Sequence, residues 1–326
     1  MPGHLALVTD STAYLPQEAV DRHRIRVVPL SVAVGDEVFA EGVEISPKDV
    51  AEALRAKQRV TTSRPSPETF AAAYRAAAEA GARGIVSIHL SAELSGTAEA
   101  ARLAASAVSI PVRVVDSRLV GMALGSCVLA AAESAEVLDA AHADSGPTAG
   151  AEAVAGSSGS SGSTGSSGGD GTGARTVEAD LDLVVAAAED RAARTAGFFY
   201  VDTLEHLRRG GRIGTAQALV GSALAVKPLL HLTGGRIEPL EKVRTASRAI
   251  GRLEEIAVEY AGRQPVDVTV HHLAAEHRAE PLAERLRERI PGLKELYVSE
   301  VGAVIGAHVG PGLLAVVVSP IIASSH

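Results

Sequence analysis

Gly84 to Thr97 reads GIVSIHLSAELSGT, and the rest of the chain is organised around it. Ile85 to Leu90 is a short apolar run rich in β-branched residues, which predicts a buried strand. Ser91, Ser95, Gly96 and Thr97 follow, and then an alanine-rich helical stretch from Ala98 to Ala107. Strand, polar turn and helix in that order suit an open α/β sheet, where ligands bind as strand ends meet helix starts. A helix start offers unpaired N–H groups and a partial positive charge, so it favours an anion. Two readings are open at this point. Ser95 or Thr97 caps the helix, or the two hydroxyls join the helix start in holding an anionic group.

Upstream, Leu5 to Val8 predicts a first strand, followed by Asp10, Ser11 and Thr12 and a short helix opened by Pro16. Arg26 to Val34 and Glu37 to Glu44 predict two strands joined by a Gly35-Asp36 turn. Ser46-Pro47 predicts a helix start with Ser46 as its cap, and the helix runs to about Lys57. Thr61-Thr62-Ser63-Arg64-Pro65-Ser66-Pro67 follows. Its prolines hold the residues before them extended, so Thr61, Thr62 and Ser63 lie on a stiff non-helical segment. Ser66 is explained as a cap for the next helix; the earlier hydroxyls are not, and they mark a polar site.

Downstream, Val112 to Val115 predicts a strand, and Asp116-Ser117 opens the helix holding Cys127. Strand and helix alternate after the early hairpin, which implies a largely parallel sheet. Asp139 to Gly173 contains GSSGSSGSTGSSGGDGTG and cannot bury enough to offset its ordering entropy. It is expected to be an insert without chemistry. Three units result: an N-terminal α/β domain over 1–138, the insert over 139–175 and a C-terminal α/β domain over 176–326.

In the C-terminal part Val177–Ala193 predicts a helix and Gly197–Val201 a strand, with Asp202 capping a helix from Thr203 to Arg209. Arg208, Arg209 and Arg212 gather around Gly210-Gly211, where the helix ends. They either complement the helix C-terminus or form a basic patch for an acidic partner or phosphate; Arg212, past the glycines, fits the first reading less well. Thr233-Gly234-Gly235 predicts a second hairpin. Near the end, His308 sits among Gly306, Gly310 and Gly312 in an expected glycine-rich loop, where it contacts a ligand or a buried hydroxyl.

The composition narrows the function. With 326 residues, 46% of them hydrophobic, the chain can bury cores for two domains. Trp is absent, and four Phe and five Tyr argue against base or sugar stacking. A net charge of −8 argues against a general nucleic-acid binder. One cysteine excludes a disulfide framework and fits a cytoplasmic protein. No signal peptide is expected at the N-terminus, and no stretch reaches the ~18 apolar residues of a membrane helix. There is no GxxxxGK[ST] loop and no HExxH, so neither that mode of ATP binding nor a metal site is expected, and no cofactor. A hydrolase elbow would need glycine at positions 93 and 97, which hold Glu93 and Thr97.

VTDSTAYLP, TTSRPSP, LSGT, VDS, LRRGGRI, VKPLL…GGRIEPLEKVRT and IGAHVGPG occur here in the order in which the DegV family has them, and the chain resembles that family over both ordered halves. The resemblance implies two α/β domains with a fatty acid held between them. It further implies a non-catalytic subunit that presents a fatty acid to a separate ATP-using fatty acid kinase subunit, which makes acyl phosphate for phospholipid synthesis. By motif, Thr62, Ser95 and His308 carry over as the residues at the carboxylate, with Ser63 and the Gly96 amide beside them. Arg209 and Arg212 carry over as residues docking the kinase subunit. Two positions depart from the pattern: Tyr14 where an acid is common, and Arg64 where Gln is common. A stand-alone lipid carrier or sensor, and a hydrolase using Ser95 and His308 on acyl substrates, are the competing readings.

Overall fold

The computed structural model describes residues 3–144, 175–219 and 227–321. Three sheets form the frame. The first is fully parallel, in the order β2-β1-β6-β7, from β1 (His4–Asp10), β2 (Arg26–Val28), β6 (Ala82–His89) and β7 (Val112–Asp116). A small antiparallel sheet, β4-β3-β5, comprises β3 (Ser31–Val34), β4 (Glu37–Ala40) and β5 (Val60–Ser63). The third sheet has the order β10-β9-β8-β13-β11-β12. Its strands are β8 (Ala196–Tyr200), β9 (Lys227–Thr233), β10 (Arg236–Val243), β11 (Val266–His272), β12 (Leu293–Glu300) and β13 (Leu314–Pro320). Only β11 and β12 run parallel there.

The opening stretch forms its strand because both faces are covered. Ile85 faces a core with Phe70, Tyr74 and Ala101. Val86 and Ile88 face another with Leu124, Val128 and Leu181. Alternating side chains thus enter two cores, and the strand reads as a continuous apolar run. One cover consists of α3 (Pro67–Glu79) and α4 (Thr97–Ala105), the other of α5 (Met122–Asp144) and α6 (Val177–Arg194). Three shorter early pieces are α1 (Gln17–Arg22), α2 (Pro47–Arg55) and a 3₁₀ turn at Ser11–Ala13. Ser46 caps α2 in a reciprocal capping box with Asp49.

On the third sheet lie α8 (Ala246–Ala261) and α9 (Glu276–Arg289), while α7 (Glu205–Arg209) and α10 (Ala303–Val309) lie near the small sheet. Ala303, Val304 and Ala307 of α10 join the core beneath the first sheet, so the two halves meet across apolar surface.

Several elements differ from the sequence reading. The run Arg26–Val34 is two strands in two sheets, because Pro29 lacks the N–H that would continue the ladder. Helix α5 begins at Met122, not at Asp116-Ser117: Asp116 instead accepts from the amides of Ala92 and Arg118. The same helix continues to Asp144, past the expected insert boundary at 139, and Asp139 accepts from Leu5 N and Arg83. The Gly/Ser-rich stretch 145–174 lies outside the described residues. Asp202 does not cap α7; its carboxylate accepts from the Tyr200 hydroxyl, and α7 starts at Glu205. His308 is not on a loop but on helix α10, whose end is marked by Gly310 at φ 74°.

Candidate ligand site

A cavity runs between the first and third sheets and holds about 1040 Å³ of non-atom space, open solvent at its mouth included. Its wall is mainly apolar: Leu30, Leu90 and Leu94 from the N-terminal half, Phe198, Phe199 and Val317 from the third sheet, and Val304, Ile305 and Val309 from α10. Polar residues also line it, among them Thr12, Thr62, Ser63, Arg64, Ser95, Arg212, His271 and His308. None of the described lining residues is Asp or Glu.

Thr62 reaches the cavity through strand alternation. On β5, Val60 and Thr62 are the less exposed residues and Thr61 and Ser63 the more exposed, with Ser63, at the end of the strand, on the cavity rim. The hydroxyl of Thr62 lies 2.8 Å from His308 Nε2. Helix α10 brings His308 to it, and the start of α10 is fixed by Glu41. Glu41 is buried and accepts from Val304 N at 2.7 Å, from the Tyr14 hydroxyl at 3.1 Å and from Ser11 Oγ. Burial lifts the Glu41 carboxyl above its ordinary value, against the pull of those donors. The same short segment, from β3 to β5, therefore supplies both Glu41 at one end of α10 and Thr62 at the other.

Two glycines seat the helix against α7. A side chain added at Gly210, the residue after α7, would overlap the His308 imidazole. A side chain added at Gly310, the residue after α10, would overlap His206 of α7. Each helix thus lays a histidine on the glycine that ends the other. His308 Nδ1 is buried with no hydrogen-bond partner among the described residues. Burial, and then the nearby Arg212 charge, pull the His308 pKa down to about 4, so its ring is neutral at pH 7.

Ser95 sits in the turn before α4, half-buried, its hydroxyl 2.8 Å from that of Thr97. Thr97 is fully buried. Neither hydroxyl makes a capping bond to α4, whose first residue is preceded by Gly96. Gly96 is covered by Arg64, whose guanidinium would overlap a side chain at that position. Arg212 donates from Nε to Leu94 O at 2.9 Å and from Nη1 to Gly210 O at 2.6 Å. It lines both the cavity and a second, outer groove that also includes Lys57, Arg59, Thr62, Arg209 and His308. Arg209 is exposed and paired with Glu205.

Five of the seven residues singled out in the sequence stand at the cavity or its rim: Thr62, Ser63, Ser95, Arg212 and His308. Gly96 lies beside it under Arg64, and Arg209 faces the outer groove. Thr12 and His271 also line the cavity and were not singled out. His271 accepts from Met122 N at 3.0 Å.

A hydrolase needs its nucleophile bonded to its base, yet the Ser95 hydroxyl bonds Thr97 while His308 bonds Thr62. An Asp-His-Ser chain does exist elsewhere: Asp10 Oδ2 to His89 Nδ1 at 3.0 Å, and His89 Nε2 to Ser87 Oγ at 2.7 Å, continued by the Tyr74 hydroxyl. All four residues are sealed from solvent, so this chain ties the first sheet to α3 and admits no substrate. The Cys127 thiol is buried and pushed up to about 12, which removes it as a nucleophile. Among the described residues no group of three or more His, Cys, Asp or Glu is placed to hold a metal ion, and no helix is long and apolar enough to cross a membrane.

A family model described as "Uncharacterised protein, DegV family" matches residues 4–137 and 172–320. A DegV domain-containing protein of Streptomyces coelicolor is 58% identical over 319 residues, covering 98% of this chain and 99% of that one. Among solved structures, a DegV family protein of Thermus thermophilus described as fatty acid binding superposes with a TM-score of 0.78 at 32% identity, covering 98% of this chain and all of the other. DegV of Bacillus subtilis, described as a fatty acid binding protein, superposes equally well, with a TM-score of 0.78, 32% identity and the same coverage.

Proposed function

The chain belongs to the DegV family, and on that premise we propose that it binds a long-chain fatty acid in the cavity between its sheets. The observation that carries this reading is the pairing of a mainly apolar cavity with a cluster of hydroxyls, a neutral imidazole and guanidinium groups, with no carboxylate among the described lining residues. The fatty carboxylate sits among Thr62, Ser63, Ser95 and His308, with the Gly96 amide at the start of α4 as a further donor. The acyl tail lies along the leucine, phenylalanine and valine wall. At ~0.8 kcal/mol for each CH₂ removed from water, a tail of about 16 carbons has ample driving force before ordering costs.

The finer reading concerns what becomes of the bound acid. The chain is a cytoplasmic subunit that presents the carboxylate to a separate fatty acid kinase subunit, which phosphorylates it for phospholipid synthesis. Two features support it. Hydroxyls and a neutral imidazole hold the carboxylate by hydrogen bonds that leave an oxygen free to act as phosphoryl acceptor. The Thr62–His308 pair also borders the outer groove, where Lys57, Arg59, Arg209 and Arg212 provide positive charge toward an incoming anionic partner. In this reading Arg209 and Arg212 face the kinase subunit.

The test is reconstitution. The chain loaded with radiolabelled palmitate is mixed with a fatty acid kinase ATP-binding subunit and ATP. Acyl phosphate that forms only with both proteins present supports the reading. Acyl phosphate formed by this chain and ATP alone, or none with a subunit active on other carriers, overturns the presenting role. Release of acid from an acyl ester by the chain alone would favour the hydrolase.

A further inference from the structure

Arg64 has no role in the account so far. It follows β5 directly and precedes Pro65, so its backbone is held extended and its side chain is aimed by the strand. The side chain crosses from β5 to the start of α4 and lies on Gly96, at the one place where the absence of a side chain lets it approach the backbone. It lines the cavity beside Ser95. Its guanidinium has no hydrogen bond and no ion pair among the described residues. Most of the arginines that make side-chain contacts among the described residues are matched by acids, as Arg83 is by Asp139 and Asp180, and Arg252 by Glu241 and Glu255.

Arg212 stands in a similar state, since its bonds to Leu94 O and Gly210 O both go to neutral carbonyls. The cavity therefore carries two guanidinium charges that no side-chain carboxylate of its lining balances. Its lining histidines do not add to that charge at pH 7, because burial pulls His271 and His308 alike down to about 4.

We propose that Arg64 is a specificity-determining residue of the ligand site: its guanidinium pairs with the anionic head of the ligand and selects an ionised acid over an uncharged lipid of equal chain length. This rests on the fatty-acid-binding reading and deepens it. Hydroxyls and a neutral imidazole bond an alcohol as well as a carboxylate, so they discriminate by charge less than a cation does. A guanidinium without another partner does discriminate: it donates a charge-assisted, planar pair of bonds to a carboxylate, whereas an alcohol offers it only one neutral acceptor oxygen. Arg64 is also exposed, so the pair it forms is open to screening by salt.

The experiment compares delipidated wild type with Arg64→Gln and Arg64→Lys. Palmitic acid and its alcohol, hexadecanol, are delivered from cyclodextrin, and affinities are measured at low and high NaCl. The expected result is that Arg64→Gln weakens palmitic acid binding by about two- to fivefold, the scale of an exposed ion pair, and leaves hexadecanol unchanged. Arg64→Lys, which keeps the charge but not the planar fork, restores part of the loss. High salt weakens palmitic acid binding more in wild type than in Arg64→Gln. An equal loss for acid and alcohol, or no loss for the acid, overturns the role of Arg64 while leaving fatty acid binding intact. Wild type that binds neither lipid overturns the fatty-acid reading itself, and this proposal with it.

Discussion

Thr62 Oγ1 and His308 Nε2 stand 2.8 Å apart, although 246 residues of chain separate them. The contact joins β5 of the small sheet to α10, so the polar end of the cavity exists only when both halves of the chain are folded against each other. Where His308 Nε2–H donates to the Thr62 hydroxyl, that hydroxyl keeps its own proton to donate to a carboxylate, and His308 Nδ1 has no partner among the described residues.

Thr62→Val keeps the shape of the side chain and removes the hydroxyl. Fatty acid affinity should fall about fivefold, the value of roughly 1 kcal/mol for one hydrogen bond, with thermal stability little changed. Lipid titration and a melting curve on the same sample check both. An unchanged affinity would remove Thr62 from the head-group site.

His308 should titrate near pH 4 rather than near its ordinary 6.5. The sign follows from proton linkage. The folded value lies below the unfolded one, so the unfolded chain takes up the proton first. The contribution to stability is complete above about 6.5 and is lost as the pH falls toward 4. His271, buried and likewise pulled down to about 4, acts in the same direction. Histidine chemical shifts followed from pH 8 to 4, with denaturant unfolding at the same pH values, test this. An ordinary pKa for His308 would contradict its burial beside Arg212.

Glu41→Ala should destabilise the protein by about 2–4 kcal/mol, because Val304 N, Ser11 and Tyr14 lose a buried acceptor together. The loss should extend to lipid binding, since α10 carries His308. Denaturant unfolding and lipid titration measure the two effects. A stable Glu41→Ala protein with full affinity would show that α10 holds its place without this anchor.

Gly210→Ala separates packing from backbone preference. Gly210 is in right-handed helical geometry at φ −74° and ψ −10°, which alanine adopts without strain. The added methyl meets the His308 ring, so lipid affinity should drop while the backbone tolerates the change. Gly211→Ala is the contrast: at φ 71° it should cost about 1 kcal/mol of stability and leave the ring in place. If both variants bind lipid as wild type does, the seat of His308 on Gly210 has no bearing on the site.

Local signals carried much of this fold. The buried strand at Ala82–His89, the capped helices after Ser46 and Ser66 and the hairpin around Gly234-Gly235 were legible because caps, prolines and turn glycines act over a few residues. Helix α10 was not legible. The glycines around His308, Gly306, Gly310 and Gly312, suggest a loop, and the residue that fixes the first turn of the helix, Glu41, lies far away in the chain. Gly306 is tolerated in the helix because it lies close against Leu273, a packing demand that no local pattern reveals. Pro29 was the missed local signal: it divides Arg26–Val34 between two sheets. For the site, TTSRPSP and LSGT pointed to Thr62, Ser63 and Ser95, and the glycine-rich end pointed to His308. Thr12 resembles a local capping residue in sequence, and it does bond Asp10, while its place on the cavity wall depends on the meeting of two sheets.

The most direct measurement is native mass spectrometry of the purified chain, followed by lipid extraction. The account predicts a mass excess of one fatty acid per chain, recovered as free acid, and a reduced excess in Ser95→Ala with its fold intact. A chain that carries no lipid, and takes up none when fatty acids are added, would contradict it.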